Sequence, residues 1–456
     1  MAFKEFLLKF KSSDRGQSRL FKAGLTGVSG LAFRFLGMAI GLISVPLTAK
    51  YLGAERYGLW LTLSTFLGWG GMADFGLVNS LRNTLATADG QEDREKARIA
   101  VSSALGISIC VAGVVATVFL LAYPFINWSR VFNVSSPLAV SDASSAILVI
   151  LLIFVAQLVI ATPLEVYSAY QEGYLANLWT GASNIASIIA LIIAVSQNAD
   201  LPLLIAAVFG VPLLGSVLSG IYLFYWRRPW LRPSIAYFRW NEAFSLLKVG
   251  SQFWFAQIAS IVLLQTDLIV VAQLFGAAEV AKYGISLKLF SLISAIQMSF
   301  VVPLWAAYAE AFARQDFSWI IKTFKRSFLL TLVWTTATSG FLVVFGQSIV
   351  LFLVAKDVVP SKALLLAMSA TVIVSGIAQT VAILMNGLGE VRLQALMGPP
   401  LSLLNLVVSI VLGRLIGPAG VSLGTASAII PTLLIYKKYL DRKISVFEPK
   451  NDNCIH

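Results

Sequence analysis

The chain has 456 residues, of which 58% are hydrophobic and only 12% charged. A soluble domain carries about a quarter charged residues and has no interior large enough for this apolar load, so the composition excludes a cytosolic enzyme and a disordered chain. The net charge is +12, the mean hydropathy is +0.83, and the matching solvent is a bilayer.

The chain opens on a basic amphipathic segment, residues 1–21, in which Phe3, Phe6, Leu7 and Phe10 recur at helical spacing between Lys4, Lys9 and Lys11. That pattern suits either a short helix lying on an anionic leaflet or a frayed basic tail. No small-residue cleavage site follows a long uncharged stretch, so it does not read as a cleaved signal. Twelve apolar spans are then predicted, at 22–49, 58–78, 98–122, 144–164, 177–197, 201–226, 244–273, 279–307, 327–352, 363–386, 395–415 and 418–436. The runs are continuous rather than alternating, which predicts helices and not barrel strands. Pro202 and Pro212 interrupt the sixth. The division expected is an N lobe at 22–226, a cytoplasmic linker at 227–243, a C lobe at 244–436 and a cytoplasmic tail at 437–456.

Of the 34 Lys and Arg residues, 25 fall at span ends on the side of the N-terminus and 7 on the opposite side. This asymmetry predicts that both termini are cytoplasmic and requires an even span count. It also assigns the positive charge to membrane topology, so no nucleic-acid partner is expected. One connection on the basic side, Glu165–Asn177, has no Lys or Arg of its own, and Glu165 is expected to be solvated. The longest connections on that side are 79–97, 227–243 and 308–326. Trp128, Trp226, Trp230, Trp240 and Trp305 read as interface anchors. Cys110 and Cys454 sit in unrelated settings and the single histidine is His456, which leaves neither a disulfide framework nor a metal or catalytic histidine site.

A weak repeat relates the halves. Tyr51-Leu52-Gly53-Ala54-Glu55-Arg56-Tyr57-Gly58 follows the first span, and Leu274-Phe275-Gly276-Ala277-Ala278-Glu279 with Lys282-Tyr283-Gly284 follows the seventh. Both carry Gly-Ala, an acid, a base and Tyr-Gly. Two parallel six-helix lobes are one repeat plan of alternating-access transporters.

Several stretches together resemble the O-antigen and polysaccharide (Wzx-type) flippases of the multidrug/oligosaccharidyl-lipid/polysaccharide exporter superfamily. They are Arg34 with Ile43-Ser44-Val45-Pro46-Leu47 and the Tyr51–Trp60 run, Ala73-Asp74-Phe75-Gly76-Leu77 with Asn79, Arg82 and Asn83, and Gln265-Thr266-Asp267-Leu268-Ile269-Val270 closing at Phe275-Gly276. The resemblance implies an all-α polytopic fold of about twelve transmembrane helices in two MATE-like lobes around a central cavity. It implies transport of a lipid-linked oligosaccharide to the outer leaflet of the cell inner membrane. One departure is Leu268, where a base is expected after Asp267.

A charge within a span costs roughly 2.5–3.5 kcal/mol at the helix centre on insertion scales, so Arg34, Asp74, Asp267 and Lys288 each need a reason. Counting from the turns at Ala54 and Ala277 puts Arg34 level with Asp74 and Asp267 level with Lys288 on their hairpins. They are either two structural ion pairs or a substrate site. In the second case Arg34 offers a planar fork to a diphosphate, Lys288 adds a second cation, and Asp74 and Asp267 are candidate proton or sodium sites. Gln257, Trp69 and Trp254 are candidate cavity-lining residues. Gln252, Gln265, Gln297 and Gln379 either bond between helices or line that cavity. The pairs Gly37/Gly41 and Gly420/Gly424 read as close helix contacts.

No nucleotide-binding loop, no Asp-x-Asp motif and no large loop is present in the sequence, so the reading is a transporter rather than an enzyme, with no cofactor beyond a coupling ion. The partners implied are the lipid-linked oligosaccharide, membrane lipids and other glycan-assembly proteins. The alternatives are a MATE-like cation-coupled drug antiporter and a membrane-embedded glycan polymerase or ligase.

Overall fold

The structure is a computed structural model that describes residues 15–68, 74–132, 134, 136–353 and 359–447. The expected interfacial pattern on Phe3–Phe10, and the candidate Trp69, lie outside the described residues. Every regular element among them is helical: α1 Arg15–Gly68, α2 Leu77–Gln91, α3 Arg94–Ala122, α4 Pro137–Ala169, α5 Gly173–Ser196, α6 Leu201–Arg227, α7 Trp240–Phe275, α8 Ala277–Val301, α9 Leu304–Ala313, α10 Phe317–Leu353, α11 Lys362–Gly387, α12 Val391–Ile416 and α13 Pro418–Phe447. Nine stretches among the described residues are long and apolar enough to cross a membrane. They coincide with the third to sixth and eighth to twelfth predicted spans. The others, 22–49, 58–78 and 244–273, fall on α1 and α7 and on a stretch that includes undescribed residues. The chain divides into two units, Met1–Ser251 and Gln252–His456.

The predicted repeat marks the same backbone event twice. Inside α1 the helix breaks at Gly53, with φ 71° and ψ 173°. Between α7 and α8 the chain turns at Gly276, with φ 80° and ψ 178°. This corner of the backbone map is open essentially to glycine alone. In the first unit the residues around Gly53 then clasp the rest of their end. Glu55 accepts the Ser136 N–H at 3.2 Å, at the N-cap of α4. Arg56 Nε donates to Asp142 Oδ2 at 2.7 Å, and the Tyr51 hydroxyl donates to the Ala199 carbonyl at 2.9 Å. The Tyr-Leu-Gly-Ala-Glu-Arg-Tyr-Gly run is thus a structural clasp.

Segments expected to be loops are shorter than predicted. Within 79–97 the chain forms α2, because Leu77, Leu81 and Leu85 fall four apart and bury completely against Ala97, Val101, Ala104 and Tyr167. Within 308–326, α9 runs to Ala313 and α10 starts at Phe317, leaving a three-residue turn. The linker is not a free tether either. Ser102 accepts the Ser234 N–H at 3.2 Å and Ser103 accepts the Arg239 N–H at 3.0 Å, so residues 234–239 lie along α3.

Prolines are absorbed rather than helix-ending. α6 continues through Pro212 by way of a π-turn at Ala206–Gly210. Pro212 has no N–H for the Val208 carbonyl, and Ser187 of α5 donates to that oxygen at 3.0 Å instead. Between helices in a bilayer the hydrophobic drive is weak, so small residues and hydroxyls do the joining. On α1, Thr26 and Ser29 accept from Asn177 Nδ2 of α5 at 3.1 and 2.9 Å, and the Phe33 ring lies over Gly181. Gly420 and Gly424 meet Leu412 and Ser409 of α12 as the spacing predicts, whereas among the described residues nothing lies within 4 Å of a Cβ built on Gly37 or Gly41. Gln297 bonds between helices, donating to the Gly376 carbonyl at 2.8 Å and to Thr380 at 3.2 Å. Trp305 is not an interface anchor: it is 6% exposed and packs on Phe253. Its apolar surroundings on α9 explain the difference. Trp226 and Trp240 are exposed, at 69% and 53%.

Candidate functional site

In the second unit, four helices bring oxygen atoms together around Asp267. The carboxylate of Asp267, on α7, is 6% exposed. The Tyr283 hydroxyl, from α8, donates to Oδ2 at 2.9 Å. The Thr425 hydroxyl, from α13, lies 3.0 and 2.9 Å from the two carboxylate oxygens and 3.3 Å from Asn405 Oδ1 on α12. Ser409 donates to the same Asn405 oxygen at 2.7 Å. Thr425 has one proton for three acceptor oxygens. Tyr283 and Ser409 supply the other hydroxyl protons, and an all-oxygen set of this kind also accommodates an added proton or a small hard cation.

Lys288 is not part of it. Tyr283 and Lys288 share α8 but are five residues apart, roughly 140° around the helix, and Lys288 is exposed while Tyr283 is 1% exposed. The hairpin count speaks to depth and not to direction, so the expected Asp267–Lys288 pair gives way to hydroxyl contacts. Sequence reasoning missed Tyr283, Asn405 and Thr425. Their signals were present: Tyr283 belongs to the repeat, and Asn405 is the one amide among the apolar residues of 395–415.

In the first unit Asp74 has a different task from the one expected. It stands just before α2, where its Oδ1 accepts the Gly76 N–H at 3.0 Å and its carbonyl accepts the Leu77 N–H at 3.0 Å. This short side chain bonding its own backbone two residues on is what starts the helix. Arg34 follows Phe33, which faces α5, by one position, so it turns away from that contact by roughly 100° and is exposed. Trp254 and Gln257 on α7 are half-buried, with the Trp254 ring set edge-on to Phe255 at 5.4 Å.

The acids of the cation-poor connection are not solvated. Glu165 and Arg82 form a buried ion pair between α4 and α2, with side chains 10% and 13% exposed. Glu172, 4% exposed, accepts from Arg227 at 2.8 Å and from Arg228 at 3.2 Å. Arg228 also lies over the Tyr170 ring at 3.8 Å, and burial pushes the Tyr170 phenol well upward, so it stays neutral beside these charges. Arg98 covers the Tyr237 ring at 3.8 Å, and Arg94 lies 5.4 Å from Trp230. The connection that lacks bases in sequence borrows them through space from α2 and the end of α6.

A second polar region of the second unit is a cavity of about 210 Å³ bounded by α7, α11, α12 and α13, with Ser375, Gln379, Gln394 and Thr432 on its wall.

Comparison with known proteins fits this architecture. Over 357 residues the chain is 24% identical to a putative O-antigen export protein of Yersinia pseudotuberculosis, covering 73% of each. It is 23% identical to a putative O-antigen transporter of Salmonella typhimurium, covering 75% of this chain and 76% of that one. A MATE crystal structure in the bent conformation matches 95% of this chain and 96% of its own with a TM-score of 0.79 at 14% identity. A Vibrio cholerae MATE transporter matches 94% and 98% with a TM-score of 0.76 at 13% identity. The Polysacc_synt model, polysaccharide biosynthesis protein, matches residues 28–308, more than half of the chain. On that match, carried by a MATE fold, the chain belongs to the polysaccharide biosynthesis protein family.

Proposed function

We propose that the chain flips a polyprenyl-diphosphate-linked oligosaccharide, an O-antigen or related polysaccharide repeat unit, from the cytoplasmic to the outer leaflet of the inner membrane by alternating access. Both termini lie on the cytoplasmic side in this reading. The observation that carries it is the family match over residues 28–308 on the fold of a MATE transporter. The names of the O-antigen relatives support the substrate class. Arg34, exposed on α1, is the base that holds the diphosphate, since its planar fork matches phosphate oxygens and keeps its charge in any setting. Lys288, exposed on α8, is a second cation for the anionic substrate. Gln257, Trp254 and Trp69 line the path. Asp267, with Thr425 and Asn405, takes up the proton or sodium ion whose gradient drives the cycle, and Asp74 shapes the entry to α2.

The test is deletion in the native host, read as lipid-diphosphate-linked oligosaccharide by mass spectrometry beside the surface glycan. Wild type and Arg34→Ala are used to complement the deletion. Accumulation of complete repeat units with loss of surface glycan, rescued by wild type alone, is expected. Normal export by Arg34→Ala at normal expression would remove Arg34 from the path. The MATE neighbours favour one second reading, a cation-coupled drug antiporter. That reading predicts an unchanged lipid pool and new sensitivity to cationic dyes. Unpolymerised glycan already displayed outside would point to a polymerase or ligase.

A further inference from the structure

The connection between α6 and α7 treats its arginines in two ways. Arg227 and Arg228 are neutralised by Glu172. Arg232 and Arg239 are oriented but not neutralised. Arg232 lies over the Tyr225 ring at 4.5 Å. Arg239 donates from Nη1 to the carbonyls of Ala236 and Phe238 at 2.9 and 3.0 Å. Among the described residues neither makes an ion pair, and both are exposed. Glu242 is the one acid between Tyr225 and Lys248, and it pairs with neither. A ring or a carbonyl fixes where a guanidinium points and leaves its charge and its remaining N–H groups available. That arrangement suits an anion from outside the chain.

The backbone that carries these bases is fastened. Ser102 and Ser103 of α3 accept the N–H groups of Ser234 and Arg239, and Arg98 donates from Nη1 to the Tyr237 hydroxyl at 2.9 Å. The exposed surface is apolar as well as basic. Ile235, between the two arginines in sequence, is 94% exposed, and Trp226 and Trp240 at the adjoining helix ends are exposed too. α6 is long and apolar enough to cross a membrane, so its end at Arg227 stands where hydrocarbon meets water. Tryptophan and aliphatic side chains at that depth fit acyl chains, and arginines beside them fit the phosphate above. A zwitterionic headgroup brings its own ammonium and gains little from uncompensated bases. An anionic phosphodiester gains from each of them, and its oxygens match guanidinium N–H groups. We propose that the α6–α7 connection docks anionic phospholipid of the surrounding leaflet, with Arg232 and Arg239 as the phosphate contacts. The inference requires only that α6 crosses the membrane and is independent of the substrate proposed above.

The test uses the full chain in dodecyl maltoside, with dioleoyl phosphatidylglycerol or dioleoyl phosphatidylcholine titrated in and the bound lipid counted by native mass spectrometry. Wild type holds phosphatidylglycerol more tightly than phosphatidylcholine. Arg232→Gln and Arg239→Gln each weaken the first phosphatidylglycerol bound by about fivefold, the share of one base near an anionic lipid surface, and the double variant weakens it further. Arg414→Gln, which removes a base in the last turn of α12, leaves it unchanged. The side chains replaced are exposed, so the lipid-free unfolding temperatures stay at the wild-type value, which separates lost binding from lost folding. Unchanged phosphatidylglycerol binding by the double variant, or an equal loss in Arg414→Gln, would overturn the proposal and leave a solvated basic connection. Farnesyl diphosphate is the third probe. If it binds more tightly than phosphatidylglycerol and is lost in the same variants, the arginines belong to a lipid-diphosphate substrate and the docking of leaflet lipid is refuted.

Discussion

Thr425 lies 158 residues from Asp267 in sequence, yet its hydroxyl sits 3.0 and 2.9 Å from the two carboxylate oxygens. The contact ties the last helix of the second unit to its first, and it does so with one proton between several acceptors. Asp267→Asn keeps the shape and removes the charge. Transport of a lipid-linked oligosaccharide by reconstituted protein should then fall at least about tenfold and lose its dependence on the sodium or proton gradient, within the usual range of coupling energies. Thr425→Val should give a smaller loss with the gradient dependence retained. Gradient-dependent transport by Asp267→Asn would release Asp267 from the coupling role.

Glu165 and Arg82 test whether the buried ion pair of the first unit holds α2 to α4. Removing one partner of such a pair leaves a buried charge uncompensated, at a cost of about 3–5 kcal/mol. Glu165→Gln should therefore lower the unfolding temperature of the detergent-solubilised protein markedly. Pairing it with Arg82→Gln should recover part of the loss. If the two single substitutions add without recovery, the pair is not the stabilising unit.

The two repeat glycines make a stability prediction with an internal control. At Gly53 and Gly276 an alanine would have to adopt a backbone conformation costing about 1–3 kcal/mol, although neither has a neighbour within 4 Å of a new Cβ. Gly113, inside α3, has equally open surroundings and an ordinary helical backbone, so alanine there should stabilise by up to about 1 kcal/mol. Thermal unfolding of the three variants should split them by sign. Equal shifts would mean that space, not backbone, decides.

At Gly181 the reason for glycine is a neighbour. A Cβ there would overlap the Phe33 ring of α1, and overpacking of this kind costs about 1–3 kcal/mol. Gly181→Ala should be destabilised in a melting assay, and adding Phe33→Leu should restore most of the loss. A neutral Gly181→Ala would show that α1 and α5 can slide past each other.

Much of the fold was legible because a bilayer leaves a continuous apolar run few options. The runs from 98–122 to 201–226 and from 279–307 to 418–436 each fall on one helical stretch, whose ends extend past the apolar run by up to ten residues, as at Phe317–Phe352 against 327–352. Less was legible at the sites, for a geometric reason. Counting from a turn gives height along a helix but not the side from which a residue projects, so Asp267 and Lys288 looked like partners although Tyr283 and Thr425 hold the acid. The pairing of Glu172 with Arg227 and Arg228 was beyond reach in the same way, since those bases belong to another helix end. Asp74 lay within the predicted span 58–78, and its part in the turn at 74–76, where its carboxylate accepts the Gly76 N–H, was not legible in an apolar run. The linker at 227–243 was read only as a connection, whereas Ser102, Ser103 and Arg98 on α3 fasten it.

The matched turns at Gly53 and Gly276 carry a consequence for ancestry. A duplicated gene drifts fastest where many residues serve equally well and slowest where only one does. Positions that admit glycine alone are the last letters of a common text to fade. Two such positions, each at the Gly-Ala turn of its unit, are what a duplicated forebear leaves behind once nearly everything around them has been rewritten. Its descendant, with unlike halves joined in one polypeptide, was free to give the acid of one turn to Ser136 and that of the other to Lys282.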